Sequence, residues 1–352
     1  MLIDRIKQIA RDIHPLVIAR RRHLHAHPEL SFQEKETSAY IKKQLSEMGI
    51  PWQPVADNGV VALIRGGKLS DRVVALRADI DALPIHEQNA VEYRSTCTGV
   101  MHACGHDAHT ASLLGTAHIL QALREEFGGT VKLIFQPGEE KLPGGASLMI
   151  REGVLENPRP EGIIGQHCAP ALEAGKIAVR PGKFMASMDE LQVWVRGKGG
   201  HAAQPHQNID PVVIAAHIIV ALQQIVSRQA NPTHPSVLSF GRVIADGAIN
   251  VIPDEVHLEG TLRTMDEAWR AKAHEQMVKM ASGIAESMGG SCEFRIVKGY
   301  PYLLNNEALT SKIRRYAESY LGEDQVVEAD LWMAAEDFAY YTQATSGCFY
   351  LL

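Results

Sequence analysis

Residues 72–84 read RVVALRADIDALP, and 59–67, just before them, read GVVALIRGG. Both are short apolar runs bounded by Gly, Asp or Pro. Successive Val, Ile and Leu without polar alternation suit strands buried on both faces. The same kind of run returns at TVKLIFQP (130–137) and GIIGQHC (162–168). Between these runs lie helical patterns. ETSAYIKKQLSEMGI (36–50) is amphipathic and stops at Gly49, Leu113, Leu114, Ala117, Leu120 and Leu123 recur at helical spacing, and GGASLMIREGVL (144–155) is a shorter helix. Strand alternating with helix predicts right-handed crossovers and a mainly parallel sheet with helices on both faces. Ligands in such sheets bind at the carboxyl ends of the strands. Asp79 and Asp81 end one run, Glu139 and Glu140 follow another, and His167 ends a third.

The residues 101–109, MHACGHDAH, start the helix that follows 72–84. Thiolate, imidazole and carboxylate are zinc-type donors. Cys104 and His106 are two apart, so on an extended backbone both face one side. A core cysteine beside surface histidines fits the spacing equally well, because the usual zinc patterns pair their cysteines or use H-E-x-x-H.

A length of 352 residues predicts two domains, and 45% apolar residues is ordinary for a globular protein. The net charge of -6 argues against nucleic acid and anionic membrane as partners. Five irregularly spaced cysteines indicate a reducing compartment. With no signal-like start and no evident bilayer-spanning run, the expectation is a cytoplasmic protein. At the N-terminus, Ile3, Ile6, Ile9 and Ile13 mark one helix, and Pro15 is expected to open a second that runs to about His25. Its end, RRHLHAHPEL (21–30), reads as a solvated basic terminus.

The pattern changes from about Lys183. SMDELQVWVRGKG (187–199) alternates, and Asp210–Pro211 open a helix to about Arg228. Strands follow at 236–246 and 255–265, then a helix over 266–288 and a strand at 292–299. The order β-α-β-β-α-β predicts a ferredoxin-like unit. It is inserted, because NEALTSKIRRYAESYLG (306–322) and AAEDFAYY (334–341) resume the earlier style. The expected division is 1–182 plus 300–352 for one domain and 183–299 for the other, with hinges near Lys183 and Tyr300.

LRADIDALP, MHACGHDAHT, FQPGEE with GGASLMI, GQHC, GKGGHAAQPH, NVIPDEVHLEGTLRT and AAEDFAYY occur in that order. Together they resemble the metal-dependent amidohydrolase family of aminoacylases, hippurate hydrolases, indole-acetyl-amino-acid hydrolases and related carboxypeptidases. The resemblance implies an α/β protein whose two-metal catalytic domain, built on a mainly parallel sheet, is interrupted by a ferredoxin-like α+β lid or dimerisation domain. It implies Cys104 bridging two divalent ions, His106, Glu140 and His167 as further ligands, and Glu139 as general base. Adjacent glutamates on an extended backbone would point opposite ways, one to metal and one to water. Asp79 stands where a related signature has His, as is common in the subfamily carrying Cys104, and Asp81 becomes a residue that orients a ligand. His201 resembles a lid histidine that reaches the substrate, across a dimer or by closure of its own lid. Asn250 and Arg263 resemble residues that grip its carboxylate. Zinc is favoured, with manganese, cobalt or nickel as alternatives. The expected substrate is an N-acyl amino acid or small peptide, and the expected assembly a homodimer through the lid. The family also carries a last histidine ligand after the AAEDFAYY region, whereas this sequence has no histidine after His274. A non-catalytic metal- or amino-acid-binding relative is the alternative function.

Overall fold

A computed structural model describes residues 2–352. The chain divides into two compact units: one comprises residues up to Phe184, Leu304–Leu331 and Asp337–Leu352, the other Met185–Leu303 and Trp332–Glu336.

The first unit is built on an eight-stranded sheet. Its strands are β1 (Trp52–Val55), β2 (Gly59–Arg65), β3 (Lys68–Asp79), β4 (Gly128–Gln136), β5 (Gly162–His167), β6 (Ile177–Val179), β15 (Val326–Glu328) and β16 (Gly347–Leu351), ordered β1-β2-β4-β3-β5-β16-β6-β15. Two short strands, β7 (Gly182–Met185) and β14 (Leu303–Asn305), lie where the chain passes between units. The centre, β4-β3-β5-β16, is parallel, as the buried apolar runs require. GVVALIR is the exception: β2 pairs antiparallel with both β1 and β4. Helices α2 (Lys35–Glu47) and α3 (His106–Ala122) bring Ile41, Leu45 and Leu114 onto Ile64, Leu133 and Phe135 of the sheet. The remaining helices of this unit are α1 (Leu2–Ala26), α4 (Gly145–Arg151), α7 (Glu307–Leu321) and α8 (Ala339–Ala344).

The expected break at Pro15 is absent, and α1 is continuous. Pro15 removes one backbone donor. Pro15 and Arg11 are both exposed, so water can take up the carbonyl of Arg11 that the missing N–H leaves behind.

The second unit contains β8 (Ser187–Arg196), β9 (Gly200–His201), α5 (Pro211–Gln224), β10 (Ser236–Ile244), β11 (Val251–Ile252), β12 (Glu255–Thr264), α6 (Glu267–Ser287) and β13 (Ser291–Lys298). Its four-stranded sheet, β10-β12-β8-β13, is antiparallel throughout and has the ferredoxin-like order. Asp210 caps α5 by accepting the N–H groups of Val212 and Val213, and Asp266 caps α6 through that of Trp269. One face of the sheet (Leu191, Val193, Leu258) packs on Ile214, Ile218, Leu222 and Met277. Each such fully buried side chain contributes about 1.5–3 kcal/mol. Contrary to the expectation of no such run, the stretch 211–229 is long and apolar enough to span a membrane by composition; its Ile214, Ile218 and Leu222 are core of this unit.

Candidate metal centre

The carboxyl ends of β3, β4 and β5 present Asp79, the turn Pro137–Glu140 and His167, and α3 begins beside them at Cys104–His106. Gly105, at φ +90°, turns the chain into α3. Ligand-capable atoms of Cys104, His106 and His167 lie within 4.8 Å of one another, as do those of His106, Glu139 and Glu140. His106 is common to both groups.

Hydrogen bonds decide which nitrogen each imidazole presents. Asp81 Oδ1 lies 3.2 Å from His106 Nδ1 and accepts its proton, which turns the Nε2 lone pair inward. His167 Nδ1 donates to the carbonyl of Cys168 at 2.7 Å, and its Nε2 stands 3.3 Å from Cys104 Sγ. His109 is fully committed: Nδ1 donates to Asp79 Oδ1 at 2.6 Å and Nε2 accepts the Cys168 N–H at 2.8 Å. It therefore braces the strand ends and has no lone pair left for a metal. Asp79, also bonded to Arg77, is held below the carboxylate range: burial opposes ionisation, and the Arg77 guanidinium together with the His109 hydrogen bond outweighs it.

The donors suit a divalent ion. His106 Nε2 and Glu140 Oε1 are buried, make no hydrogen bond and stand 3.8 Å apart. Two such atoms left bare would be costly. An ion bonding each at about 2 Å satisfies both. Burial pushes the Cys104 thiol up to about 11, so a neighbouring cation is what would keep it a thiolate at neutral pH.

The Pro137–Glu140 turn bends, so Glu139 and Glu140 do not point opposite ways; both reach His106. Asp81 Oδ2 accepts the Glu140 N–H at 3.0 Å, and Glu139 Oε1 accepts that of Asp337 at 3.3 Å. Asp337 in turn binds Arg77, Gln136 and the Ala146 N–H.

Phe32 adjoins this turn at φ +66°, a conformation that costs a non-glycine residue on the order of 1–3 kcal/mol. Buried Glu34 clamps it, one carboxylate oxygen accepting the N–H groups of Phe32 and Gly138, the other the amide of Asn58. Ser31 donates to Asp81.

One histidine of the RRHLHAHPEL segment departs from the solvated expectation. His23 and His27 are exposed, but His25 is buried, its two nitrogens facing Asp107 at 2.7 Å and Glu87 at 3.1 Å. This pair, with Arg21 on Asp107, braces the first turn of α3. Arg77, Asp337, His109, Glu34 and His25 support the site through partners remote in sequence. LRADIDALP, MHACGHDAHT and AAEDFAYY, which contain Arg77, His109 and Asp337, were the signals available.

His201, Asn250 and Arg263 lie in the second unit. The β9–β11 ribbon pairs His201 with Val251, and Asn250 accepts the Ala202 N–H at 3.0 Å, so the first two are neighbours. His201 Nδ1 accepts the N–H of Ala203 at 3.1 Å, which leaves the ring proton on Nε2 as a donor. Arg263 sits on β12 opposite Val237 and Met188, its Nε bonded to Thr261.

The peptidase family M20/M25/M40 model matches residues 75–352. The N-acyl-L-amino acid amidohydrolase of Geobacillus stearothermophilus is 45% identical over 87% of this chain and 82% of its own length. Thermostable carboxypeptidase 2 of Saccharolobus solfataricus is 37% identical over 100% of this chain and 89% of its own. The crystal structure of Bacillus subtilis YXEP, described as a dinuclear metal-binding peptidase, superposes with a TM-score of 0.82 at 39% identity, covering 97% of this chain and 89% of that one. The chain belongs to peptidase family M20/M25/M40 and is a metal-dependent amidohydrolase.

Proposed function

We propose that the chain hydrolyses the amide bond of N-acyl amino acids or small peptides, with Glu139 as general base. The observation that carries this reading is the bent turn that brings Glu139 and Glu140 together at His106. Cys104, His106, Glu140 and His167 are the proposed holders of two divalent ions, zinc first and manganese, cobalt or nickel as alternatives. When bound, such ions polarise the scissile carbonyl and acidify a water.

The remaining chemistry belongs to side chains. Glu139 takes a proton from the attacking water and passes it to the departing amine. The Asp337 N–H fixes one of its oxygens. His201, a donor at Nε2, steadies the charge that develops on the carbonyl oxygen. Asn250 and Arg263 hold the substrate carboxylate, for which the guanidinium fork is shaped. The residues 183–299 form a lid that pairs with a second copy, so His201 serves its own site on closure or the partner subunit's site. Exposed Val212, Val213 and Val220 on α5, and the edge strand β10 with Val237 and Val243, support such a pairing. Ala215 of the same helix is buried in the core of this unit and takes no part in that surface.

Release of free amino acid from N-acetyl, N-benzoyl and dipeptide substrates tests the reading. The expected result is turnover by metal-loaded protein, lost on chelation and restored by a divalent ion. No release from any of the panel would reject it.

A further inference from the structure

We propose that Phe32 determines acyl-group specificity: its ring forms one wall of the subsite for the substrate's acyl group and selects aromatic or long apolar acyl groups over acetyl. This inference rests on the amidase reading above.

Four observations support it. Phe32 is held at φ +66°, where glycine or asparagine sits more easily, so the position keeps its ring against the preference of the backbone. The clamp is elaborate: Glu34, buried, accepts the N–H groups of Phe32 and Gly138 at 2.8 Å each, and Ser31 ties the segment to Asp81 at 2.7 Å. The ring lies flush on Gly138, where a Cβ would overlap it, and Gly138 immediately precedes the proposed base. Phe32 is only half-buried, and its ring adjoins the segment that carries Glu139 and Glu140. Binding sites combine such apolar walls with a few polar groups that fix orientation. An acyl group whose carbonyl is presented to Glu139 projects its chain into these surroundings, and a flat apolar surface rewards an aromatic or long chain there.

The test compares N-acetylglycine with N-benzoylglycine on metal-loaded wild type, Phe32→Ala and Phe32→Leu, with metal content measured for each. Phe32→Ala should lower kcat/KM for the benzoyl substrate by roughly tenfold or more, chiefly through KM, with under about threefold change for the acetyl one. Phe32→Leu keeps packing on Gly138 and should fall between. Benzoate should weaken as a competitive inhibitor in parallel, and acetate should not. Equal losses on both substrates, or an unchanged ratio in both variants, would overturn the proposal. Should wild type hydrolyse neither acylglycine but cleave another member of the panel, this inference fails alone; release from none of the panel rejects the amidase reading and takes this inference with it. Turnover with an unmoved ratio defeats this inference alone.

Discussion

Asp81 acts at residue scale by fixing a tautomer. Its Oδ1 accepts the Nδ1–H of His106, and its Oδ2 accepts Ser31 Oγ–H and the Glu140 N–H, so one carboxylate positions both the histidine and the glutamate proposed as ligands. Asp81→Ala should weaken metal binding by about 10–100-fold, measured by equilibrium dialysis, because a ligand imidazole without its partner no longer holds one orientation. Unchanged affinity would show that His106 is fixed by other contacts. The candidate donors were legible because Cys104, His106, Glu140 and His167 sit in short local patterns at strand and helix ends. The supports were not: Arg77 meets Asp337 across 260 positions and His25 meets Asp107 across 82, and no local periodicity reports such a pair. The opposite directions expected of an extended Glu139–Glu140 pair do not apply, because alternation holds for strands and this pair lies on a bend.

Among the elements, the second unit shows how a buried ion pair is made tolerable. Arg270 on α6 is 1% exposed and grips Asp189 of β8 with two hydrogen bonds, at 2.9 and 2.7 Å. His274 adds a third contact at 2.7 Å. Burial works against the charge on Asp189, but the bonds from His274 and Arg270 hold its pKa below the ordinary carboxylate value. A depressed pKa contributes stability above the unfolded-state value near 4, and that contribution is lost as pH falls through the folded value. This unit should therefore lose stability as the pH falls through the folded-state pKa of Asp189. Asp189→Ala should cost about 1–3 kcal/mol at neutral pH, since it takes two hydrogen bonds from a buried guanidinium that keeps Glu267 and the carbonyls of Met188 and Gly299. Urea unfolding followed by tryptophan fluorescence checks both, because Trp194, Trp269 and Trp332 report on this unit. A variant with the wild-type midpoint would contradict the account. The lid elements were readable from alternation and caps. The unbroken α1 was not, because proline's tolerance at position 15 depends on solvent at Arg11, which sequence does not display.

The whole molecule places its candidate chemistry in two units, Glu139 in one and His201 in the other. If lids pair in the proposed homodimer and His201 serves the partner subunit's site, mixed dimers of His201→Ala and Glu139→Gln chains should regain one working site. Some activity should return on mixing and subunit exchange. Heterodimers that form and stay inactive would confine His201 to its own subunit or to a structural role.

The central claim is that adjacent glutamates divide the work, Glu139 moving protons and Glu140 holding metal. Metal content and turnover measured side by side on Glu139→Gln and Glu140→Gln test it directly. Glu139→Gln should keep its metal and lose on the order of 10²–10⁴-fold in rate. Glu140→Gln should lose metal as well as rate. Two variants with the same metal content would contradict the division.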